Sequence, residues 1–272
     1  MNSTAPTRPE PTSSGSALPG GRSLRRVITT AVICGVAVGT VAAVAWATRS
    51  DAGHDTTITE RVDTLELDVA AGGVDVIGSD RDDIAIEWQE RTWMFGDATL
   101  THHVTGSTLH VVGECGGLNV FGGCATDVVV RVPAGVDVVA QSDAGAVTVA
   151  GIDGTTEAQS SAGRVHIEDQ SGDLVAHSDA GPVTVDGLMA NRATVTSAAG
   201  GVTIDVAAPV TELVADSAAG TVQITVPDDG QAYAVEASTD TGSTTIDVPT
   251  DPSSNRTIRA TSDAGSVTVT TP

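Results

Sequence analysis

Lysine is absent from this 272-residue chain, aromatic residues make up only 2% of it, and cysteine occurs three times. Each scarcity excludes something. The aromatics are Trp46, Trp88, Trp93, Phe95, Phe121 and Tyr233, so the 40% hydrophobic content is mostly Val, Ala, Ile and Leu. That payload favours strands over helices and a thin core over a thick one. All 13 basic residues are arginine against 35 acids, a formal charge of −22. From Asp51 onward 34 acids face 8 arginines, and 34 − 8 gives −26. A surface of that sign repels nucleic acid and anionic lipid, so no nucleic-acid partner and a monomeric state are expected.

One long uncharged stretch is present. Val27 to Ala47, VITTAVICGVAVGTVAAVAWA, contains 21 residues. As a helix it reaches about 31 Å, one bilayer core. Arg22, Arg25 and Arg26 precede it and Arg49 alone follows, which orients the N-terminus to the cytoplasm and everything after Arg49 to the outside. The lipid bilayer is thus an expected partner of residues 27–47, and residues 1–24, with four prolines, read as a disordered tail. Ala45-Trp46-Ala47 also has the form of a signal-peptidase site, which leaves secretion after cleavage as the alternative to a retained anchor. Cys34 lies inside the apolar run behind a bulky Ile33 and reads as a small hydrophobe.

What the chain has in abundance is one repeated corner. Aligning on the glycine that ends each SDAG-like tetrapeptide gives Gly145, Gly163, Gly181, Gly200, Gly220, Gly242 and Gly265, at intervals of 18, 18, 19, 20, 22 and 23. Such a period signals a solenoid. Two residues after each glycine stand Val147, Val165, Val183, Val202, Val222, Thr244 and Val267. Four after it stand Val149, Ile167, Val185, Ile204, Ile224, Ile246 and Val269, with a mostly polar residue between the two columns. This alternation is a strand with one buried face. A second strand precedes each corner, where Ala140, Ala158, Ala176, Val195, Ala215, Ala237 and Ala260 form a column. The glycines are expected to supply φ > 0 at the corners. The serines three places earlier (Ser142, Ser160, Ser178, Ser197, Ser217, Ser262, with Thr239 once) are expected to bond corner backbone in a ladder.

The predicted architecture is all-β: a parallel β-solenoid, β-helix or β-roll-like, with 18 to 23 residues per coil and one transmembrane helix (25–49) before it. Residues 50–59 read as a linker, 60–135 as irregular coils or a cap, and 136–272 as the regular repeats. The segments IAIEW, TLTHHV, TLHVV and DVVVRVP supply the cap strands, and Trp93-Met94-Phe95 with Phe121 supply its plug. Cys115 and Cys124 bracket a glycine-rich loop with no C-x-x-C, so a disulfide is expected in an oxidising compartment rather than a metal site.

No catalytic constellation emerges. The six histidines (His54, His102, His103, His110, His166, His177) are scattered. His177-Ser178-Asp179 resembles a triad only in sequence, because adjacent strand residues point to opposite faces. The corner aspartates Asp143, Asp179, Asp240 and Asp263 alternate with Ser161, Ala198 and Ala218, which breaks a calcium pattern. Glu168, Asp186, Asp205 and Asp247 could share an outer face, yet no converging acid and base accompany them. No catalytic, cofactor or metal residue is therefore expected.

The run VVVRVPAGVDVVAQSDAGAVTVAGIDG (128–154), continued by SAGRVHIED, SDAGPVTVDG and SAAGGVTIDV, resembles the bacterial "putative adhesin" family of β-strand repeats. That family is a domain of unknown function related to auto-transporter adhesin head domains, and the likeness spans about residues 60–270. It implies a parallel β-solenoid at the cell surface and no catalytic residue. The expected function is a non-enzymatic, membrane-anchored, adhesin-like module whose ligand is a surface glycan or a protein. The alternative is an envelope signalling or stress component acting through the membrane helix and tail; a polysaccharide-active β-helix enzyme ranks third.

Overall fold

The computed structural model describes residues 50–93, 96–117 and 123–272, and every regular element among them is a β-strand. The tail, the apolar run 27–47, Cys34, Met94, Phe95 and Phe121 lie outside the described residues. The first seven strands are β1 (Ser50–Ile58), β2 (Thr64–Val69), β3 (Val74–Ser79), β4 (Ile84–Trp93), β5 (Gly96–Thr105), β6 (Thr108–Gly117) and β7 (Gly123–Pro133). Strand-pair coils follow: β8 (Asp137–Ser142) with β9 (Val147–Ala150), β10 (Thr156–Ser160) with β11 (Val165–Glu168), and β12 (Leu174–Ser178) with β13 (Val183–Leu188). Next come β14 (Arg192–Ser197) with β15 (Val202–Val206) and β16 (Glu212–Ala219) with β17 (Val222–Thr225). The last are β18 (Ala234–Thr241) with β19 (Thr244–Asp247) and β20 (Thr257–Ala264) with β21 (Val267–Thr270).

Two sheets result, because each coil sends its first strand to one and its second to the other. The first runs β1-β4-β7-β3-β9-β11-β13-β15-β17-β21-β19, and the second runs β18-β20-β16-β14-β12-β10-β8-β2-β6-β5. Identical columns stack in register: Val147 pairs Val165, which pairs Val183, then Val202, then Val222. Their side chains, with Val149, Ile167, Val185, Ile204 and Ile224, are sealed between the sheets. Full burial of each stabilises by about 1.5–3 kcal/mol, so the aliphatic column is the main source of cohesion.

Three departures from simple winding appear. First, β1 pairs β4, β4 pairs β7, and β5 pairs β6, all antiparallel, so the expected wider coils are partly a hairpin addition to the end of the stack. Residues 50–59, read as a linker, are largely β1. Second, the coil β6–β7 lies outside the coil β2–β3, although it follows it in the chain. Third, the mirror of that exchange closes the other end: β20–β21 is inserted between β16–β17 and β18–β19. Val267 and Val269 are consequently fully buried, whereas Ile246 of the outer coil is 42% exposed.

The corner glycines owe their place to contact rather than to dihedral angle. Gly145, Gly163, Gly181, Gly200 and Gly220 are not among the residues in the left-handed region, and Gly242 (φ 156°) and Gly265 (φ 159°) sit at its extended edge. The expectation of φ > 0 thus holds at Gly242 and Gly265 and is corrected at the other five. A Cβ on any of the seven would stand 2.5–2.7 Å from the carbonyl carbon of the corner glycine one coil away, well inside van der Waals contact. The same carbonyl accepts the corner hydroxyl of the next coil: Ser160 donates to Gly145 O and Ser178 to Gly163 O, each at 2.8 Å. Ser197, Ser217 and Ser262 continue the ladder onto Gly181, Gly200 and Gly220. Thr239 donates to Gly265 O at 2.7 Å, the direction that the exchange of the last two coils demands.

Candidate binding surfaces

Residues between the buried columns point outward, so each sheet presents rows of side chains at the strand spacing of ~4.8 Å. On the first sheet one row reads Thr148, His166, Thr184, Thr203, Gln223, Thr268, Thr245 in spatial order. His166 ties this row to the next, its Nε2 2.7 Å from Glu168 and its Nδ1 3.8 Å from Asp186. Arg164, Pro182, Thr148, His166 and Thr184 line a shallow depression of about 380 Å³.

The expected alignment of four carboxylates holds only in part. Glu168 and Asp186 are register partners, but an irregularity between Val185 and Leu188 interrupts the pairing beyond them. Asp205 faces Thr225, and Thr225 and Thr270 separate it from Asp247. Among the described residues no three His, Cys, Asp or Glu side chains are gathered at metal-ligand spacing. The triplet at 177–179 is split as strand parity requires. His177 contacts Thr196 Oγ1 at 2.7 Å and Asp179 at 2.9 Å on the outer face, while the Ser178 hydroxyl is buried in the corner ladder.

At the hairpin end, Trp93 is not a plug. It is 41% exposed and lies across Gly123, because its position on β4 has outward parity. Trp88, five residues earlier and of inward parity, packs on the core instead, stacked on His54 at 5.2 Å with His102 edge-on at 6.2 Å. Cys115 on β6 and Cys124 on β7 lie 5.7 Å apart between Cα atoms with their sulfurs joined, linking one sheet to the other. A second depression, about 580 Å³, is lined by Glu60, Arg61, Asp63, Asp82, Pro133 and Asp137 among others.

The crossing segments at the far end hold Tyr233, whose ring is buried and whose hydroxyl has no hydrogen-bond partner. Burial pushes its phenol up, and the Arg256 guanidinium lies 5.7 Å over the ring. Arg256 meets Asp229 at 2.6 Å; that bond holds the Asp229 carboxyl below its usual range and raises the guanidinium. Ser253 lowers Asp251 in the same way, and Asp173 raises Arg192. These groups tie neighbouring segments together at the solvent boundary.

One pairing escaped the sequence reading. His103 and His110 are register partners across β5 and β6, with rings stacked at 4.9 Å and 20°. The signal was available: Thr105-Gly106-Ser107-Thr108 is a two-residue hairpin turn with Gly106 at φ 66°, and such a turn places 103 opposite 110.

Known proteins give three comparisons. No curated protein matches the chain. A protein of solved structure from Clostridium sporogenes, described as a "putative cell adhesion protein", is 7% identical over 82% of this chain and 100% of its own, with a TM-score of 0.34. A "putative adhesin" from Bacteroides fragilis is 15% identical over 82% of this chain and 97% of its own, TM-score 0.48. Another from Parabacteroides distasonis is 10% identical over 80% and 97%, TM-score 0.37. The domain described as Toastrack DUF4097 matches residues 136–271, the stretch from the start of β8 through β21. With its strand-pair coils and glycine corners running the length of that match, the chain belongs to the Toastrack DUF4097 family, a domain of unknown function.

Proposed function

We propose that the chain is a membrane-anchored, extracytoplasmic binding or surface module without catalytic activity. The observation that carries the reading is the outer face of the first sheet, where seven rungs present Thr148, His166, Thr184, Thr203, Gln223, Thr268 and Thr245 in one register. A regular polar row of that kind suits an extended, repeating ligand, such as a surface glycan or an extended protein segment. The apolar residues 27–47 supply the anchor, and the −26 exterior keeps neighbouring copies and anionic lipid away from the row. Cells displaying the full chain should adhere to an immobilised glycan and protein panel, and deleting residues 50–272 should abolish that adhesion. Replacing residues 27–47 by an unrelated apolar segment should leave it intact. Loss on segment replacement would instead indicate that the membrane segment carries the function.

Outside the membrane the Cys115–Cys124 bond is a stabilising staple. It joins the two sheets at the hairpin end, and closing so short a loop contributes about 2.5–3 kcal/mol in the chain-entropy description. A thiol titration of the native exported protein should find both residues unreactive until a reductant is added. Two reactive thiols at Cys115 and Cys124 before reduction would rule the staple out.

A further inference from the structure

We infer that His103 and His110 form a chelating pair for a borderline divalent transition-metal ion on the outer face of the second sheet. Three observations converge. The two imidazoles sit directly opposite one another across the β5–β6 hairpin, where side chains are close enough to share a ligand. Glu66 on β2, register partner of His110, lies 2.8 Å from its Nδ1. A carboxylate only accepts hydrogen bonds, so Nδ1 of the neutral ring bears the proton and Nε2 keeps the free lone pair. This carboxylate–imidazole arrangement is the one that orients metal-binding histidines and raises their basicity. His103 is exposed, so its ring is free to turn from the stacked position and direct a ring nitrogen at the same ion.

The ligand class follows from donor chemistry. Imidazole nitrogen suits copper(II), nickel(II) and zinc, at bond lengths of about 2.0–2.1 Å for zinc, and discriminates against calcium and magnesium. Two nitrogens fill two coordination positions, and water completes the shell. The acidic exterior concentrates cations near the pair. The remaining histidines are not arranged this way. His54 and His102 each pack on the Trp88 ring, and His166 and His177 are each engaged by carboxylates on separate coils.

Calorimetric titration of the tag-free full-length chain in detergent, separately with CuCl2, NiCl2, ZnCl2 and MgCl2, tests the site. One copper ion should bind most tightly, with nickel and zinc weaker and magnesium silent. His103→Gln and His110→Gln should each weaken copper binding at least about tenfold, and Glu66→Gln about tenfold by removing the carboxylate that orients the His110 ring. His166→Gln should change nothing. Equal copper affinity in the wild type and the His103→Gln, His110→Gln double variant would overturn the assignment, as would a loss of the same size in His166→Gln. All four substituted residues lie at the surface, and an unchanged far-UV spectrum confirms that each variant remains folded.

Discussion

Replacing Gly163 with alanine is expected to destabilise the protein by about 3 kcal/mol or more, whereas Gly135→Ala should change stability by less than about 0.5 kcal/mol. The added Cβ at Gly163 would sit 2.5 Å from the carbonyl carbon of Gly145, and backbone cannot rotate away as a side chain can. The coils would have to separate, stretching the ladder in which Ser160 donates to Gly145 O. Separation also opens the contact between Val147 and Val165, the column on which the stack depends. Gly135 has open space within 4 Å of its Cβ direction and no positive φ. Urea unfolding of both variants reads the difference as a shift in midpoint at constant slope. Equal midpoints for the two would show that corner contact does not set the glycine requirement.

The second large effect is an inversion of the order expected from the chain. If coils stacked in sequence order, β20–β21 would be the frayed end, and its valines would be cheap to truncate. In the structure they are interior, so Val267→Ala with Val269→Ala should cost about 3–5 kcal/mol through lost burial and cavities. Ile246→Ala, one coil earlier in sequence, should cost less than about 1 kcal/mol because its side chain is already 42% in water. Denaturant midpoints for the two variants settle the ranking. The reverse ranking would place β18–β19, not β20–β21, against β17.

These two cases also mark where sequence legibility ends. The columns Val147, Val165, Val183 and Val149, Ile167, Val185 are local patterns of period two, so the strands, the buried face and the coil repeat can all be read without coordinates. The exchange of the last coils cannot be read that way. Val235 and Ala237 offer the same pattern to Leu213 and Ala215 as Ile258 and Ala260 do, and nothing local decides which coil stacks there. The corner glycines are visible, but the requirement shared by all seven is a carbonyl in another coil, which no local dihedral argument reveals; positive φ applies only at Gly242 and Gly265. The antiparallel β1–β4–β7 group is hidden for two reasons: β1, SDAGHDTTI, carries no apolar alternation and so reads as a linker, and the alternation in β4 and β7 does not encode direction. Trp93 and Trp88 differ only in parity along β4, which becomes usable once the strand start at Ile84 is fixed. The His103–His110 pair needed only recognition of the turn between them.

The interleaved coils constrain how the polypeptide matures as it is synthesised. Residues 234–247 are made before 257–270, yet they dock only on strands that 257–270 provide. A solenoid wound in order could consolidate one rung per emerging segment. Here the early-made outer rung must wait with unpaired edges until the later one has slotted beneath it, so completion of this end is a single late event rather than a gradual one.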